Sequence, residues 1–240
     1  IEPAPDGSRL VDKVDTCLPD RLLRPMFTYR HRQLFDDLAA HRTLSSPAPL
    51  TVAVTGASGL VGSALVPFLT TGGHRVIRLV RHQPRGTNER QWDLQAPDPA
   101  ALADIDAVVH LAGHSIAGRF TASHKKLIGS SRVEPTRLLA RAAAEANVSV
   151  FVSASAIGYY GASRQDETLT EESAVGSGFL AEVVDAWEQA AAQAGTAGMR
   201  VVLIRTGIVQ SPRGGALKVQ RPLFAAGLGG PMGAGEHWQS

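Results

Sequence analysis

Apolar and polar positions along this chain predict a repeating series of strands and helices from residue 50 onwards. Short apolar runs predict strands at Leu50–Val54, Arg75–Val80, Arg90–Trp92, Ala107–Leu111, Ser149–Ser153 and Arg200–Arg205. Helical spacing predicts helices over 60–71, over a long region ending at Ala146, and over 178–194, with kinks or breaks at Pro67 and Pro135. Strands and helices that alternate in this way form a doubly wound α/β fold with a parallel sheet.

The first 45 residues follow a different pattern. Residues 9–18 predict a strand, and residues 25–42 predict a helix that begins with Pro25. One strand and one helix bury too little surface to form a core, and residues 46–49 resemble a stiff linker. We therefore expect 1–45 to belong to a separate domain and 50–240 to form the main one. The alternative is that the helix packs on the main domain as an N-terminal extension.

The C-terminal stretch, residues 207–240, holds eight glycines and predicts loops at the carboxyl edge of the sheet. The chain begins at Ile1 rather than at a methionine and stops directly after these loops. We therefore expect it to be a piece of a longer protein.

Composition narrows the function classes. The net charge of +2 comes without a basic cluster interleaved with aromatic residues, so nucleic acid is not an expected partner. No apolar run reaches the roughly 18 residues that a membrane span needs, and no signal segment opens the chain. The single cysteine, Cys17, excludes an internal disulfide and favours the cytoplasm. We assign no metal ligands, and the oligomeric state stays open.

The segment TGASGLVG, residues 55–62, carries the most specific signal. Its glycines, Gly56, Gly59 and Gly62, follow a strand and open a helix. Glycine permits the sharp turn, and the helix N-terminus offers unpaired N–H groups to a pyrophosphate. This pattern predicts a dinucleotide site in a Rossmann-type fold, with a purely structural turn as the alternative.

The end of the second strand bears on the choice of cofactor. An acidic residue there would bind the 2′-hydroxyl of NAD, whereas this strand ends at Arg81, with Arg78 and Arg85 nearby. An arginine can pair with the 2′-phosphate of NADP. We therefore predict NADP rather than NAD, although a surface arginine at a strand end is also common.

Taken together, these motifs resemble the extended short-chain dehydrogenases/reductases, and more narrowly an atypical branch of that superfamily, the sugar-nucleotide-epimerase family. The resemblance covers residues 50–240. It rests on TGASGLVG, HLAG (110–113), SRV (131–133), SASAIGYYG (153–161), FLAEVVDAWE (179–188), RTGIVQSPRGGAL (205–217) and GLGGPMGAGEHW (227–238). Residues 1–45 resemble the end of a START-like lipid-pocket domain, which precedes this domain in some relatives. Relatives also carry a small C-terminal domain, which we expect to be missing from this piece of the protein.

The resemblance implies roles for individual residues. Those expected at the pyrophosphate are Gly56, Ser58, Gly59, Leu60, Val61 and Gly62, and those expected along the ribose are Leu111, Ala112 and Gly113. Arg81 is expected at the 2′-phosphate and Asp93 at the adenine. We predict His110 to be a buried core histidine.

Catalysis in the superfamily uses a serine, a tyrosine and a lysine, of which Ser155 matches the serine. The helix that should carry YxxxK begins at Phe179 and holds neither residue. Tyr160 and Arg164 have the right spacing but follow a strand, so we take that spacing as a coincidence. Tyr159 is the favoured proton carrier, and the other candidates are Tyr160, Glu171, Glu182 and Glu188. The alternative is that Tyr159 only packs on the nicotinamide or covers the pocket.

Two functions follow. The first is an NADP-dependent oxidoreductase or epimerase that acts on a small polar, nucleotide-linked substrate, with Arg205, Arg213 and Arg221 available for anionic groups and Gly214 and Gly215 in a ligand loop. The second is a non-catalytic NADP-binding redox sensor or scaffold, which the missing YxxxK favours.

Overall fold

The computed structural model describes residues 2–5, 7–43, 48–94 and 96–230 of the chain. The chain divides into two compact units, Ile1–Ser45 and Ser46–Ser240. Half of the expected linker at 46–49, namely Ser46 and Pro47, and the last ten residues, 231–240, lie outside the described residues.

The first unit contains a small hairpin and a long helix. Strand β1 (Glu2–Ala4) pairs antiparallel with β2 (Gly7–Arg9), and helix α1 spans Asp20–Thr43. The predicted strand over 9–18 is wrong, because β1 offers partners only as far as Arg9 and residues 10–18 contain no strand. Backbone groups without a partner strand do not form a ladder.

Helix α1 also begins earlier than predicted. It starts at Asp20, in the first turn, where a carboxylate is favourable beside the helix N-terminus. Asp20 also pairs with Arg24 one turn later, at 2.9 Å. Pro25 therefore lies inside the helix rather than at its start.

The second unit is built on a sheet of six parallel strands in the order β5-β4-β3-β6-β7-β8. The strands are β3 (Thr51–Thr55), β4 (Arg75–Val80), β5 (Glu89–Gln91), β6 (Ala107–His110), β7 (Val150–Ala156) and β8 (Arg200–Thr206). The prediction of a Rossmann-type α/β fold is confirmed. The order reverses between β3 and β6, and ligands bind at the carboxyl edge beside such a switch point.

The helices of this unit are α2 (Gly62–Thr71), α3 (Ala122–Ser130), α4 (Val133–Glu145), α5 (Phe179–Ala192) and α6 (Gly215–Ala225). The main core joins Ile77 and Phe151 of the sheet to Leu139 of α4 and Ala191 of α5, all fully buried. No helix in the described ranges is long and apolar enough to cross a lipid bilayer.

Two predictions about helices need correction. The long helical region ending near Ala146 is two helices that separate at Ser131 and Arg132, and Pro135 lies in the first turn of α4, where proline is tolerated. The stretch 207–240 contains helix α6 as well as loops. Gly214 and Gly215 lie at the start of that helix and Gly227 lies just after its end, and the residues between them, such as Leu217 and Lys218, are good helix formers.

Candidate cofactor cleft and active site

The glycine turn after β3 packs its backbone too closely for side chains. Gly56 has φ +65°, and a Cβ there would lie 2.8 Å from the carbonyl carbon of Leu111. A Cβ on Gly62 would collide with the carbonyl oxygen of Gly56 and come within 2.7 Å of the Cα of Ala57. The turn and the end of β6 therefore require glycine at these positions.

A chain of side-chain hydrogen bonds supports the turn from beneath. The Thr55 hydroxyl oxygen accepts from the backbone N–H groups of Leu111 (3.1 Å) and Ala112 (3.3 Å) and lies 2.7 Å from Nδ1 of His110. Because its lone pairs are used, its proton points to Nδ1, so Nε2–H of His110 donates to the Thr136 hydroxyl at 2.9 Å.

This assignment makes the His110 ring neutral. The side chain is 2% exposed, and burial lowers the pKa of His110 to about 4. The prediction of a buried core histidine is confirmed, and the ring also underlies the floor of the cleft.

A cleft of about 970 Å³ lies along the carboxyl edge of β3, β4 and β6. Seven of the predicted cofactor residues line it: Gly56, Ser58, Gly59, Arg81, Leu111, Ala112 and Gly113. Gly62 begins α2, Leu60 and Val61 precede it, and Asp93 is exposed between the lining residues Trp92 and Leu94. The structure therefore brings most of the set to one cleft and leaves these four residues outside its lining.

Sequence reasoning missed several lining residues, namely His82, Glu89, Trp92, Leu94, His114, Leu127, Ser131 and Pro135. Most lie in loops or in α3 and α4, where no spacing signals that they face a cleft. Ser131 belongs to the SRV motif, which was the one available signal.

Basic residues dominate the β4 end of the cleft. Arg78 and Arg81 line it, and among the described residues no carboxylate forms an ion pair with either. Glu89 also lines the cleft, and its carboxylate accepts from the backbone N–H of Arg85 at 2.9 Å. The exposed guanidinium of Arg81 is thus available for an anion.

A second polar cluster lies at the ends of β7 and β8. Glu188 of α5 receives two hydrogen bonds from Arg205 of β8, Nε to Oε1 and Nη2 to Oε2, both at 2.8 Å. The hydroxyl of Ser155 donates to Oε1 of the same carboxylate. The side chains of Glu188 and Arg205 are 8% and 17% exposed, so the ion pair is largely buried.

The charges of this pair stabilise each other. Burial alone would raise the pKa of Glu188, but the hydrogen bonds from Arg205 and Ser155 outweigh it and hold that pKa below its ordinary value. The hydrogen bonds to Glu188 raise the pKa of Arg205. Glu188 is therefore a carboxylate at neutral pH rather than a proton donor.

Both tyrosines of the predicted proton-carrier pair contact Arg205. Its guanidinium carbon lies 3.6 Å from the ring centroid of Tyr159, and its Nη1 donates to the Tyr160 hydroxyl at 3.0 Å. Arg164 instead pairs with Glu167 at 2.7 Å, which supports treating the spacing of Tyr160 and Arg164 as a coincidence.

The two predicted catalytic residues, Ser155 and Tyr159, thus belong to one cluster around Arg205. Ser155 is 2% exposed with its proton directed at Glu188, and neither residue lines the cleft. Of the carboxylate candidates, Glu188 is buried in this cluster, whereas Glu171 and Glu182 are exposed. Glu171 contributes its backbone carbonyl, which accepts from Arg205 at 3.1 Å.

A parallel sheet of this order, with a glycine turn and a cleft at its switch point, defines the Rossmann class of α/β proteins. Within that class, the model of the NAD dependent epimerase/dehydratase family matches residues 52–226. The chain belongs to this family.

A curated relative is the epimerase family protein Mb2239 of Mycobacterium bovis. It is 44% identical over 196 residues, which cover 80% of this chain and 65% of that protein. The chain thus spans less than two thirds of this relative's length.

Two solved structures are also similar. The nucleoside-diphosphate sugar epimerase from Corynebacterium glutamicum has 48% identity and a TM-score of 0.84, covering 95% of this chain and 49% of that one. That coverage extends into the N-terminal unit. Human epimerase family protein SDR39U1 (isoform 2), solved with NADPH, has 33% identity and a TM-score of 0.70. The match covers 79% of this chain and 64% of that one.

Proposed function

We propose that this protein is an NADP-dependent oxidoreductase or epimerase that acts on a small polar, nucleotide-linked substrate. The observation that carries the proposal is the cleft, in which the glycine turn lies at the switch point of the sheet and Arg81, which forms no ion pair with a described carboxylate, lies at the end of β4. Family membership and the NADPH in the human relative support the choice of cofactor.

The residues present fit such a dinucleotide. The cleft volume suits a large ligand, the backbone of Gly56–Gly59 is exposed toward it, and Arg81 can pair with a 2′-phosphate. We assign Leu111–Gly113 to the ribose and Asp93 to the adenine. When bound, the nicotinamide supplies hydride transfer.

In this proposal, Tyr159 carries the proton and Ser155 is the catalytic serine, whose hydroxyl must turn away from Glu188 to reach a substrate. Tyr159 follows β7 at the carboxyl edge of the sheet, and the positive charge of Arg205 covers one face of its ring. Arg205, on β8, therefore places a positive charge beside Tyr159 and Tyr160. In the superfamily, by contrast, the positive charge belongs to a lysine one helical turn after the catalytic tyrosine.

Calorimetry tests the cofactor. NADPH should bind more tightly than NADH, and Arg81→Ala should narrow the difference by about 1–3 kcal/mol, because a charge-assisted contact is lost. Arg75→Ala, at the opposite end of β4, is the matched control and should leave the difference unchanged. Equal affinity of the unmodified protein for both cofactors would refute the choice of NADP.

The second candidate is a non-catalytic NADP-binding redox sensor or scaffold. It is favoured by the proton of Ser155, which points into the protein toward Glu188, and by the absence of a tyrosine and a lysine from α5. Tyr159→Phe separates the two functions. An enzyme should lose about 10²-fold in kcat while its cofactor affinity changes little, and absence of turnover with any carbonyl or sugar-nucleotide compound would favour the sensor.

We also propose that residues 1–45 are the end of a START-like domain and that 50–240 form the nucleotide-binding domain, in a protein of the cytoplasm. The separate compactness of the two units supports the division. A shortened protein that begins at Leu50 should still bind NADPH. If it fails to fold, helix α1 is part of the nucleotide-binding domain.

A further inference from the structure

Arg132 occupies an unusual position between α3 and α4. Its Nη1 donates to the carbonyl oxygen of Ile128 at 3.1 Å and to the Ser131 hydroxyl at 3.4 Å. Its guanidinium carbon lies 5.3 Å from the ring centroid of Trp187, a buried residue of α5. The side chain is thus held in one place by two neighbouring helices.

This guanidinium packs behind Gly113 in the wall of the cleft, although Arg132 itself is not among the residues that line the cleft. A Cβ on Gly113 would be 3.3 Å from Cζ of Arg132 and 3.4 Å from its Nη2. Gly113 and Ser131, which adjoin the guanidinium, both line the cleft. Glycine at 113 therefore lets the guanidinium approach the backbone at this end of the cleft.

The charge of Arg132 is not balanced within the described part of the chain. No carboxylate there forms an ion pair with it, and its Nε and Nη2 donate no hydrogen bond to any described residue. Burial accordingly lowers the pKa of Arg132. Arg137, in the second turn of α4, differs because it forms hydrogen bonds of 2.6–3.1 Å with Glu134.

A purely structural role explains only part of this geometry. The guanidinium lies over the ring of Trp187, and its Nη1 donates to a carbonyl oxygen in the last turn of α3. Neither interaction uses Nε or Nη2, the pair of donors that matches the two oxygens of a phosphate or carboxylate.

We infer that Arg132 binds an oxyanion group of the substrate, a phosphate or a carboxylate, at the Gly113 end of the cleft. The inference rests on the proposed function, in which the glycine turn and Arg81 hold the phosphates of the cofactor. The anion at Arg132 then belongs to the second ligand, and it fixes that ligand beside the ribose end of the cofactor.

The test titrates two probe anions, inorganic pyrophosphate and malonate, into the NADPH-saturated protein by calorimetry. We expect at least one of them to bind and Arg132→Gln to weaken that binding by about tenfold or more, because the two-point contact is lost. Arg137→Gln, which removes an exposed arginine of α4, is the matched control and should bind within about twofold of the unmodified protein. Binding of pyrophosphate alone identifies a phosphate site, and binding of malonate alone a carboxylate site.

Arg132→Lys controls for a loss of binding that is caused only by unfolding. Lysine retains the charge and the alkyl chain of Arg132 and lacks only its planar guanidinium group. This variant should fold and bind the probe more weakly than the unmodified protein. If neither probe binds, or if both bind equally well after Arg132→Gln, the inference is wrong. If NADPH itself does not bind, the proposed cofactor fails, and the same titrations without NADPH still decide the role of Arg132.

Discussion

Two stretches of the same sheet edge are held together in different ways. At β3, β4 and β6 the shape of the cleft comes mainly from backbone, with Gly56 and Gly62 packed where no side chain fits. At β7 and β8 the arrangement depends on side chains, because Glu188, Arg205 and Ser155 form one buried group. The first stretch is sensitive to added volume, whereas the second is sensitive to the loss of a single charge.

The largest expected effect tests the side-chain stretch. Glu188→Ala should lower the free energy of unfolding by about 3–5 kcal/mol, because it leaves the largely buried charge of Arg205 without its partner. Glu134→Ala breaks the exposed pair with Arg137 and should lower it by about 1 kcal/mol or less. Urea denaturation measures both, and equal effects would mean that the buried pair contributes no more than an exposed one.

The stretch at β3, β4 and β6 contains the buried neutral ring of His110, so its stability should fall at acidic pH. The pKa of His110 in the folded protein, about 4, lies below the ordinary value of 6.5, so the unfolded chain binds the proton more readily. The stabilising contribution is complete above pH 6.5 and declines toward pH 4, by about 3 kcal/mol in total. Urea denaturation at a series of pH values should show this decline, and His110→Gln should lack it. An identical pH dependence in both proteins would contradict a buried neutral ring.

A smaller effect on stability, with a clear effect on binding, is expected in the glycine turn. Gly62→Ala should lower the free energy of unfolding by about 1–3 kcal/mol, because the new Cβ meets backbone atoms. It should also abolish NADPH binding in calorimetry, since the turn must shift. Gly73→Ala is the control: Gly73 has φ +85° and no atom within 4 Å of its Cβ position, so only backbone strain of about 1–2 kcal/mol follows. NADPH binding that survives Gly62→Ala would show that the turn can adapt.

The same contrast explains what the sequence could predict. The strands, their alternation with helices and the glycine turn were predictable because each depends on neighbouring residues. The cluster at β7 and β8 joins Ser155 to Glu188 across 33 positions and Glu188 to Arg205 across 17, a pairing that no local pattern encodes. Glu188 was only one of several carboxylate candidates, and its partners become visible only once α5 lies on the sheet.

In the N-terminal unit, a local pattern predicted a strand that the structure does not contain. Apolar residues such as Leu10, Val14 and Leu18 suggested a strand, yet all are at least 37% exposed. A strand also needs a partner strand, and in the described part of this unit residues 10–18 have none. The local pattern of residues carries no information about that partner. Helix α6 was not predicted because the stretch is rich in glycine, although among its described residues the glycines lie outside the helix or at its first residue.

The order of the six strands has a consequence for how the protein emerges from the ribosome. Strand β3 is made first, β4 and β5 then add outward on one side, and β6, β7 and β8 add outward on the other. Each new strand therefore meets an open edge, and none has to insert between two strands that are already paired. The last residue that lines the cleft is Pro135, so the cleft and the strands β3, β4 and β6 can assemble while β8 is still unmade. The ion pair of Glu188 and Arg205 closes last, and it fastens the helix α5 to the final strand of the sheet.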